Sequence, residues 1–356
     1  MRIAWFRNTA PDPTDPLDDT APLIDELRSA HEIDVIVQQT AHDFVWQQIL
    51  RPWDLCVFEL DNTRAHQFVS AYLTNYAGVV FLRSADVATL RVVLLASRSV
   101  VVSHPVFAES LQQAFPAAHV RYAPPCGGPA RSAPYESGGA DLTPARRSRE
   151  SAEPAGRRLT KFAVFDRRDD GIVNRAFQRA GNAGAVFDVL KGDAEPSVLT
   201  RCDVAIAPGW PPYHGPPTAV LAALAAGKAV VTMEMEATAE WPAIDPQTWR
   251  RRGLSVKNAP IAVTIDPRDE EHSLMLAVRR LSSDAALREQ LGRAGHAWWQ
   301  QNATPAHAAA AWTQILQEAA TLAPPPRPGD WPTEFGTDGT ELARAILSEF
   351  GLATDF

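Results

Sequence analysis

Cysteine is scarce in this sequence, with three residues among 356. Cys56, Cys126 and Cys202 are far apart and odd in number, so they predict neither a disulfide framework nor a zinc site. We expect three unreactive thiols. Long apolar runs are also missing, since no segment approaches the roughly 18 apolar residues of a membrane-spanning helix. The sequence thus excludes a small disulfide-stapled domain and predicts a protein without a transmembrane segment.

Basic residues are not in excess either. Lys and Arg number 34 against 42 Asp and Glu, which gives a net charge of -8. Because nucleic-acid phosphates select clustered Lys and Arg, we expect no nucleic-acid partner, although a small anionic ligand needs only a local basic patch. The first residues, MRIAWF, enter a strand pattern directly. We therefore expect no cleavable signal and a cytoplasmic location.

The composition that is present is ordinary for a globular protein, with 46% hydrophobic and 21% charged residues over a length typical of two domains. In residues 1–125, short apolar runs alternate with longer amphipathic segments. This alternation predicts a first domain with a parallel sheet covered by helices on both faces. The predicted strands are 3–6, 33–37, 55–60, 79–82 and 100–103, and the predicted helices are 21–29, 64–75, 85–96 and 105–114.

Residues 126–160 are rich in Gly, Pro, Ser, Ala and Arg, which predicts a flexible linker. The alternation resumes in residues 161–322, so we predict a second α/β domain there. Residues 323–356 form a Pro-rich tail, whose segment 341–350 could form a helix packed on the chain itself or bound to a partner. The second domain has predicted strands at 162–166, 185–190, 203–208, 229–233 and 261–265, and predicted helices at 172–180, 218–226, 270–281, 285–300 and 305–319.

The predicted fold class is therefore α/β, with two doubly wound Rossmann-like domains facing each other across a cleft. Open α/β sheets bind ligands at the carboxyl ends of their strands, so we expect ligands in that cleft.

The strongest functional signal lies in DVAIAPGWPPYHGPPTAVLAALAAGKAVVT, residues 203–232. Its loop contains Gly215 and Pro217 and leads into a helix that Thr218 could cap. Free amides at a helix N-terminus attract phosphate, so the segment predicts anion binding. The alternative is an ordinary connection between strands, with Gly227 ending the helix.

This segment resembles the donor site of GT-B glycosyltransferases of the retaining family-four type, also called glycosyl transferases group 1. In that family a strand ending in Asp-Val-x-x-x-Pro is followed by a Gly/Pro loop, a helix and a Gly-x-x-Val-Val strand. Other parts of the chain resemble the family too, namely MRIAWF, YLTNYAGVVFL, VVVSHPVFAESLQQAFPAAHVRYAPP with the Pro-x-Gly at 125–127, and AVTIDPRDEEHSLMLAVRRLSSDAALREQLGRAGHAWW. The resemblance spans most of both predicted domains and implies the GT-B fold.

The resemblance also implies donor-binding residues. Two Glu of the family, the second of which contacts the ribose, fall on His214 and Ala222 here, so both carboxylates are absent. His214 could still bind a sugar hydroxyl or a phosphate, or it could simply face water. Trp210 could stack on the base. The predicted donor loop and helix comprise Trp210, His214, Gly215, Pro217, Thr218 and Ala222.

A basic residue of the family follows the first strand of the second domain and balances the departing diphosphate. In this sequence Arg167 and Arg168 follow FAVFD, and either could clamp a phosphate through two hydrogen bonds. Alternatively, the neighbouring Asp169 and Asp170 neutralise both arginines in a surface charge cluster.

In the first domain the family often ends its fourth strand in His-Asp, whereas this sequence has Arg83 and Ser84. The stretch after Arg83 is short, which predicts a small and open acceptor side. After the first strand, Asn8 and Thr9 are the polar residues nearest to the expected cleft.

The sequence LDNTRAHQF, residues 60–68, resembles a Gly-Asn-x-x-x-His pattern of related bacterial enzymes. Asn62 would open the loop and His66 would begin the helix, so both could contact a sugar. The alternative is an N-capping Asn and a packed helical His. Asn62, His66 and Arg83 are the candidate catalytic residues.

The resemblance implies a bacterial glycosyltransferase that moves a sugar from a nucleotide-diphosphate sugar to a glycan, a lipid-linked glycan or a small acceptor. We expect no metal and no cofactor, because this fold uses helix dipoles and basic side chains instead. The missing carboxylates leave two alternatives, which are a catalytically degenerate GT-B protein acting as a binding or scaffold subunit and a relative of sugar-nucleotide epimerases. A peripheral membrane or protein partner also remains open.

Overall fold

The computed structural model describes residues 1–7, 20–60, 67–83, 87–127, 159–165, 171–190, 196–208, 218–252, 258–326 and 341–352. These residues form two compact units. The first unit takes its described residues from 1–9, 30–123 and 312–356, and the second takes them from 10–29 and 124–311.

The strands alternate with helices along most of the chain. The described strands are Arg2–Phe6 (β1), Glu32–Ile36 (β2), Leu55–Leu60 (β3), Val79–Leu82 (β4), Ser99–Val102 (β5), Val120–Tyr122 (β6), Thr160–Val164 (β7), Phe187–Leu190 (β8), Val204–Ala207 (β9), Ala229–Met233 (β10), Ala243–Ile244 (β11), Arg251–Arg252 (β12) and Ala262–Ile265 (β13). The described helices are Thr20–Leu27 (α1), Ala41–Leu50 (α2), Gln67–Leu73 (α3), Val87–Ala96 (α4), Pro105–Ala114 (α5), Ile172–Asn182 (α6), Pro196–Arg201 (α7), Thr218–Ala225 (α8), Glu270–Ser283 (α9), Ala285–Asn302 (α10), Pro305–Thr321 (α11) and Glu341–Glu349 (α12).

The first unit is built on a parallel six-stranded sheet in the order β2-β1-β3-β4-β5-β6. Its central strand β3, LCVFEL, is buried along its whole length, as expected for a strand covered on both faces. On one face Phe6 stacks on Phe58 with ring centroids 4.9 Å apart. On the other face Trp5 packs against Trp312 of α11 at 5.2 Å. Alternation along β1 therefore supplies one aromatic side chain to each half of the core.

The second unit has a seven-stranded sheet in the order β12-β11-β13-β10-β9-β7-β8. All neighbours are parallel except β11 and β12. The boundary between the units falls inside α11, after Ala311. The α12 helix predicted in the tail is present and belongs to the first unit. Among the described helices, none combines the length and apolar character needed to cross a bilayer.

Close backbone approaches hold α8 in the second unit. A Cβ on Gly295 of α10 would lie 2.6 Å from Leu224 Cδ2, and a Cβ on Gly292 would overlap the carbonyl of Gly227. Gly227 has a φ of 64°, and the N–H groups of Gly227 and Lys228 donate to the carbonyls of Leu224 and Ala223. This Schellman arrangement ends α8 at a glycine, as the sequence predicted.

The segment that enters the second unit also packs on α8. A Cβ on Gly127 would lie 2.5 Å from Leu221 Cβ, so only glycine fits between this segment and α8. The indole Nε1 of Trp299 donates to the Gly127 carbonyl at 2.7 Å, and Trp298 packs on Trp241 with centroids 5.0 Å apart. The two adjacent tryptophans of α10 therefore have packing roles.

The three cysteines are free and buried. Burial raises the pKa of the Cys56 thiol to about 12 and that of the Cys202 thiol to about 11. Because the thiolate is the reactive form, both thiols are unreactive near neutral pH, as expected from the sequence.

Candidate functional site

A charged cluster lies at the carboxyl edge of the first unit's sheet. The strands β1 and β3 are neighbours there, with β2 on the opposite side of β1. This is the point at which the strand order reverses, and α/β sheets bind ligands at such points. Arg7 follows β1, Glu59 is the penultimate residue of β3, and Arg83 follows β4.

Strand register brings these three side chains to one face of the sheet. Phe6 is in register with Phe58, so Arg7 lies beside Glu59. Glu59 is in register with Phe81, and Arg83 lies two residues beyond Phe81 on the same face. The backbone N–H of Arg83 donates to the Leu60 carbonyl at 2.8 Å, which continues the ladder past the end of β4.

The Glu59 carboxylate forms ion pairs with both arginines. Its Oε1 lies 3.1 Å from Arg83 Nη1 and its Oε2 lies 3.5 Å from Arg7 Nε. Arg7 and Glu59 are only 6% and 4% exposed, whereas the Arg83 side chain retains 20% of its surface. Buried charges are stable only with partners, so each member of this cluster fixes the others. The result is a cluster of two guanidinium groups and one carboxylate at the sheet edge where α/β proteins commonly bind ligands.

One of the first-unit residues predicted from the sequence, Arg83, belongs to this cluster. The other predictions, Asn8, Thr9, Asn62 and His66, lie outside the described residues. Sequence reasoning missed Arg7 and Glu59. A signal for Glu59 exists, because it is a lone carboxylate inside the otherwise apolar strand LCVFEL.

The second unit has a corresponding switch point between β7 and β9. Val164 is in register with Ile206, and the N–H of Phe165 donates to the Ile206 carbonyl at 2.8 Å. The described chain stops one residue later along β7, at Phe165, and stops after β9 at residue 208. The following sequence contains most of the predicted donor-binding residues, namely Arg167, Arg168, Trp210, His214, Gly215 and Pro217. These six lie outside the described residues.

Two predicted donor residues are described, both in α8. Thr218 is the first described residue of α8 and is buried. Its capping role stays a prediction, because the residues that precede it lie outside the described part of the chain. Ala222 lies one turn further on and is partly exposed. Its methyl group can neither donate nor accept a hydrogen bond.

Carboxylates that the sequence analysis overlooked follow β10 and β13 at the same edge of the second sheet. Glu234 directly follows β10, forms an ion pair with Arg252, and donates its N–H to the Ile265 carbonyl at 2.9 Å. Asp266 directly follows β13 and pairs with Arg268 at 3.0 Å. The hydrogen bonds from Arg268 hold the pKa of the Asp266 carboxyl below its ordinary value. The Asp266 carboxylate is therefore ionised at neutral pH, and an arginine side chain holds each of the two carboxylates.

No protein-family model matches the sequence, and no curated protein matches it. Solved structures do resemble it. The Anabaena protein HepE, solved in complex with UDP and glucose, superposes with a TM-score of 0.53 at 13% identity, over 90% of this chain and 100% of HepE. A TarM mutant from S. aureus, solved with fondaparinux, alpha-GlcNAc-glycerol and UDP, gives a TM-score of 0.50 at 9% identity. That match covers 76% of this chain and 57% of TarM.

Both structures have the GT-B fold of glycosyltransferases, and this chain has the same fold. The fold class predicted from the sequence is confirmed in its two doubly wound Rossmann-like halves. At 9% and 13% identity the likeness concerns the fold alone.

Proposed function

We propose that this chain is a glycosyltransferase that moves a sugar from a nucleotide-diphosphate sugar to an acceptor. The observation that supports this proposal most strongly is the β9-α8-β10 unit of the second sheet. There, α8 starts at the carboxyl end of β9, the strand next to the switch point, and close glycine contacts fix its position. A helix N-terminus in this position supplies free N–H groups and a positive dipole end for a diphosphate.

The two solved relatives support a nucleotide-sugar donor. HepE was solved with UDP and glucose, and TarM with UDP and glycan-like molecules. By analogy the second unit of this chain takes the donor, with Arg167 or Arg168 balancing the diphosphate. The acceptor is a saccharide, a lipid-linked glycan or a small molecule, and retention of configuration follows from the family-four resemblance. The helix dipole and arginines perform the charge balancing without a metal ion.

In this proposal, the first unit binds the acceptor. Arg83, the member of the cluster that retains exposed surface, offers guanidinium donors to sugar hydroxyls or an anionic substituent, and Glu59 holds it in place. Asn62 and His66 follow β3 in the sequence and remain the proposed catalytic partners of Arg83. Asn8 and Thr9 complete the proposed set after β1.

A second candidate function is a degenerate GT-B protein that binds or scaffolds a partner without catalysis. The observation that favours it is Ala222, which stands in α8 where the resembling family has the ribose-binding Glu. A hydrogen bond to a charged group contributes about 1.5–3 kcal/mol, so its loss weakens donor binding about tenfold or more.

Calorimetric titration with UDP, GDP and their sugars tests the donor half of the proposal. We expect saturable binding of one nucleotide, lost in Arg167→Ala or Arg168→Ala, and retained in Arg293→Ala, which changes an exposed arginine of α10. Absence of binding up to millimolar concentrations contradicts the glycosyltransferase and leaves the degenerate protein as the candidate.

Measurement of nucleotide release separates the enzyme from the degenerate protein. For an enzyme, UDP or GDP accumulates from the bound sugar nucleotide over time, and faster when an acceptor is added. Tight binding without any turnover across a panel of saccharide and lipid-linked acceptors favours the scaffold.

A further inference from the structure

A cavity lies at the amino-terminal edge of the first unit's sheet, at the opposite strand ends from the Arg7, Glu59 and Arg83 cluster. Its volume is about 280 Å³, close to the lower end of the roughly 300–1,000 Å³ range of ligand pockets. The start of β3, the residues before β4 and β5, the ends of α2, α3 and α4, and Pro324 and Pro325 after α11 form its wall. Ligands of α/β sheets bind at the carboxyl edge, so the proposed function leaves this cavity unassigned.

Arg98 supplies the cationic group of this wall. Its backbone N–H donates to the Gly78 carbonyl at 2.8 Å, which fixes the residue at the start of β5. Among the described residues, its buried Nε has no hydrogen-bond partner, and its guanidinium forms no ion pair. A buried donor without a partner costs free energy, and a charged one costs more. An anionic group in the cavity would supply the missing acceptor.

The other lining residues set the remaining properties of such a ligand. Gln48 accepts a hydrogen bond from the Trp53 N–H at 3.0 Å through its Oε1, which leaves its amide nitrogen as a further donor on the wall. Leu95, Pro324 and Pro325 contribute apolar surface.

The charge at the rim limits the ligand's own charge. Asp54 is exposed at the cavity, and its Oδ2 accepts the Arg2 backbone N–H at 2.7 Å. Its carboxylate repels a second negative charge on a ligand that already pairs with Arg98. The wall therefore favours one negative charge and an apolar remainder.

We propose that this cavity binds a small organic monoanion, namely a carboxylate on a compact apolar body. The carboxylate pairs with the Arg98 guanidinium, whose fork geometry matches two carboxylate oxygens. The apolar body packs on Leu95, Pro324 and Pro325. Pro324 follows α11, so a bound ligand bridges the sheet edge and the segment that leads to the C-terminal tail.

Titration with benzoate, its neutral counterpart benzamide, and inorganic phosphate tests the proposal at pH 7 on the full chain. We expect benzoate to bind with a Kd on the order of 1 mM, because a ligand of this size gains roughly a few tenths of a kcal/mol per non-hydrogen atom in an ordinary site. Benzamide and phosphate are expected to bind at least about tenfold more weakly. Phosphate binding as tight as benzoate binding contradicts the preference for a monoanion.

Two variants identify the site. Arg98→Gln removes the charge and should weaken benzoate at least about tenfold, whereas Arg91→Gln changes an exposed arginine of α4 and should leave binding unchanged. Ala77→Leu fills the cavity without altering its charge and should abolish binding. Circular dichroism and cooperative unfolding show that each variant is folded.

The proposal is overturned if benzoate binds Arg98→Gln or Ala77→Leu as tightly as the unmodified chain. It is also overturned if benzoate shows no saturation up to about 20 mM, since such weak binding reflects no built site. Nucleotide titration reports on the other sheet edge, so failure of the glycosyltransferase proposal leaves these outcomes unchanged.

Discussion

The two units begin with the same strand order but equip their carboxyl edges differently. The first has β2-β1-β3-β4, and the second has β8-β7-β9-β10 in the corresponding positions. In the first unit, side chains of the strand ends carry charge, with Glu59 between Arg7 and Arg83. In the second unit, the described part of the switch point consists of a helix held by glycine contacts. The carboxyl edge of the first unit thus carries charged side chains, whereas the described part of the second unit's carboxyl edge depends on how closely a helix packs.

In the proposed glycosyltransferase, the two sheet edges have different tasks. An ion cluster on strands presents fixed charges with a defined geometry, which suits recognition of a particular acceptor group. A helix N-terminus presents backbone amides whose position depends on how closely the helix packs on its neighbours. Substitutions in the ion cluster and in the helix contacts, made one at a time, measure how much each arrangement contributes.

The largest effect is expected for Glu59→Gln in the first unit. The substitution keeps the side chain's shape but leaves two guanidinium groups beside a neutral amide, and breaking a buried pair costs about 3 kcal/mol or more. Urea unfolding measures the loss. Glu289→Gln is the control, because Glu289 pairs with Arg293 at 3.6 Å in an exposed position and such pairs contribute at most about 1 kcal/mol. Equal losses in the two variants would show that the cluster adds no more than a surface ion pair.

Gly292→Ala tests the close packing between α8 and α10 in the second unit. The added Cβ overlaps the Gly227 carbonyl, so α8 and α10 must separate, and overpacking of this kind costs about 1–3 kcal/mol. The control is Gly181→Ala in α6, where a Cβ meets nothing within 4 Å and should stabilise the helix by about 0.5–1 kcal/mol. We expect Gly292→Ala to lower the melting temperature and Gly181→Ala to raise it. An increase in both variants would contradict a close contact at Gly292 that holds α8.

Ala222→Glu adds a charged side chain to α8 of the second unit, which then resembles the first unit in having a charged side chain near its carboxyl edge. If α8 contacts the donor ribose, the new carboxylate should tighten UDP binding about tenfold, the equivalent of about 1.4 kcal/mol. Ala226→Glu changes an exposed residue just after the C-terminal end of the same helix and should leave the Kd unchanged. Isothermal titration compares the two, and equal or weaker binding by Ala222→Glu argues against a ribose contact at this position.

The smallest effect is expected from pH, and it belongs to the first unit. His31 is buried, and burial, followed by the charge of the N-terminal amine, lowers the pKa of its imidazole below the ordinary 6.5. The unfolded chain therefore takes up a proton at His31 before the folded chain does. Stability should decline as pH falls below about 6.5 and level off once the folded imidazole is also protonated. Unfolding curves measured between about pH 7.5 and 5.5 bracket the ordinary pKa of histidine. Over this range, the free energy of unfolding should decline less in His31→Gln than in the unmodified chain.

Most strands were predictable because strands buried on both faces appear as short apolar runs. IAWF, LCVFEL and VVFL were placed within a residue or two of β1, β3 and β4. The helix α2 was missed. Its apolar residues lie on more than one side, with Phe44 fully buried but Trp46 and Leu50 69% and 83% exposed, so no helical period stands out in the sequence.

The candidate site was predictable only in part. Arg83 was identified because it follows a strand where the resembling family has catalytic residues. Glu59 was passed over because its strand otherwise looks like core, and only the register of β1, β3 and β4 shows that it meets two arginines. A contact between three strands depends on sheet order, which local periodicity does not encode.

The sequence by itself determined the alternation of strands and helices, the doubly wound α/β class and the position of Gly227 at the end of α8, because hydrophobic period and glycine conformation are local properties. Its resemblance to a known family implied the GT-B fold. The tertiary structure alone decided which charges meet and which do not. It paired Glu59 with Arg7 and Arg83, and it placed Arg98 in a cavity whose wall comes from segments as distant as Gln48 and Pro324. These outcomes depend on strand order and chain packing, and residues so far apart in sequence acquire a shared environment only when the chain folds.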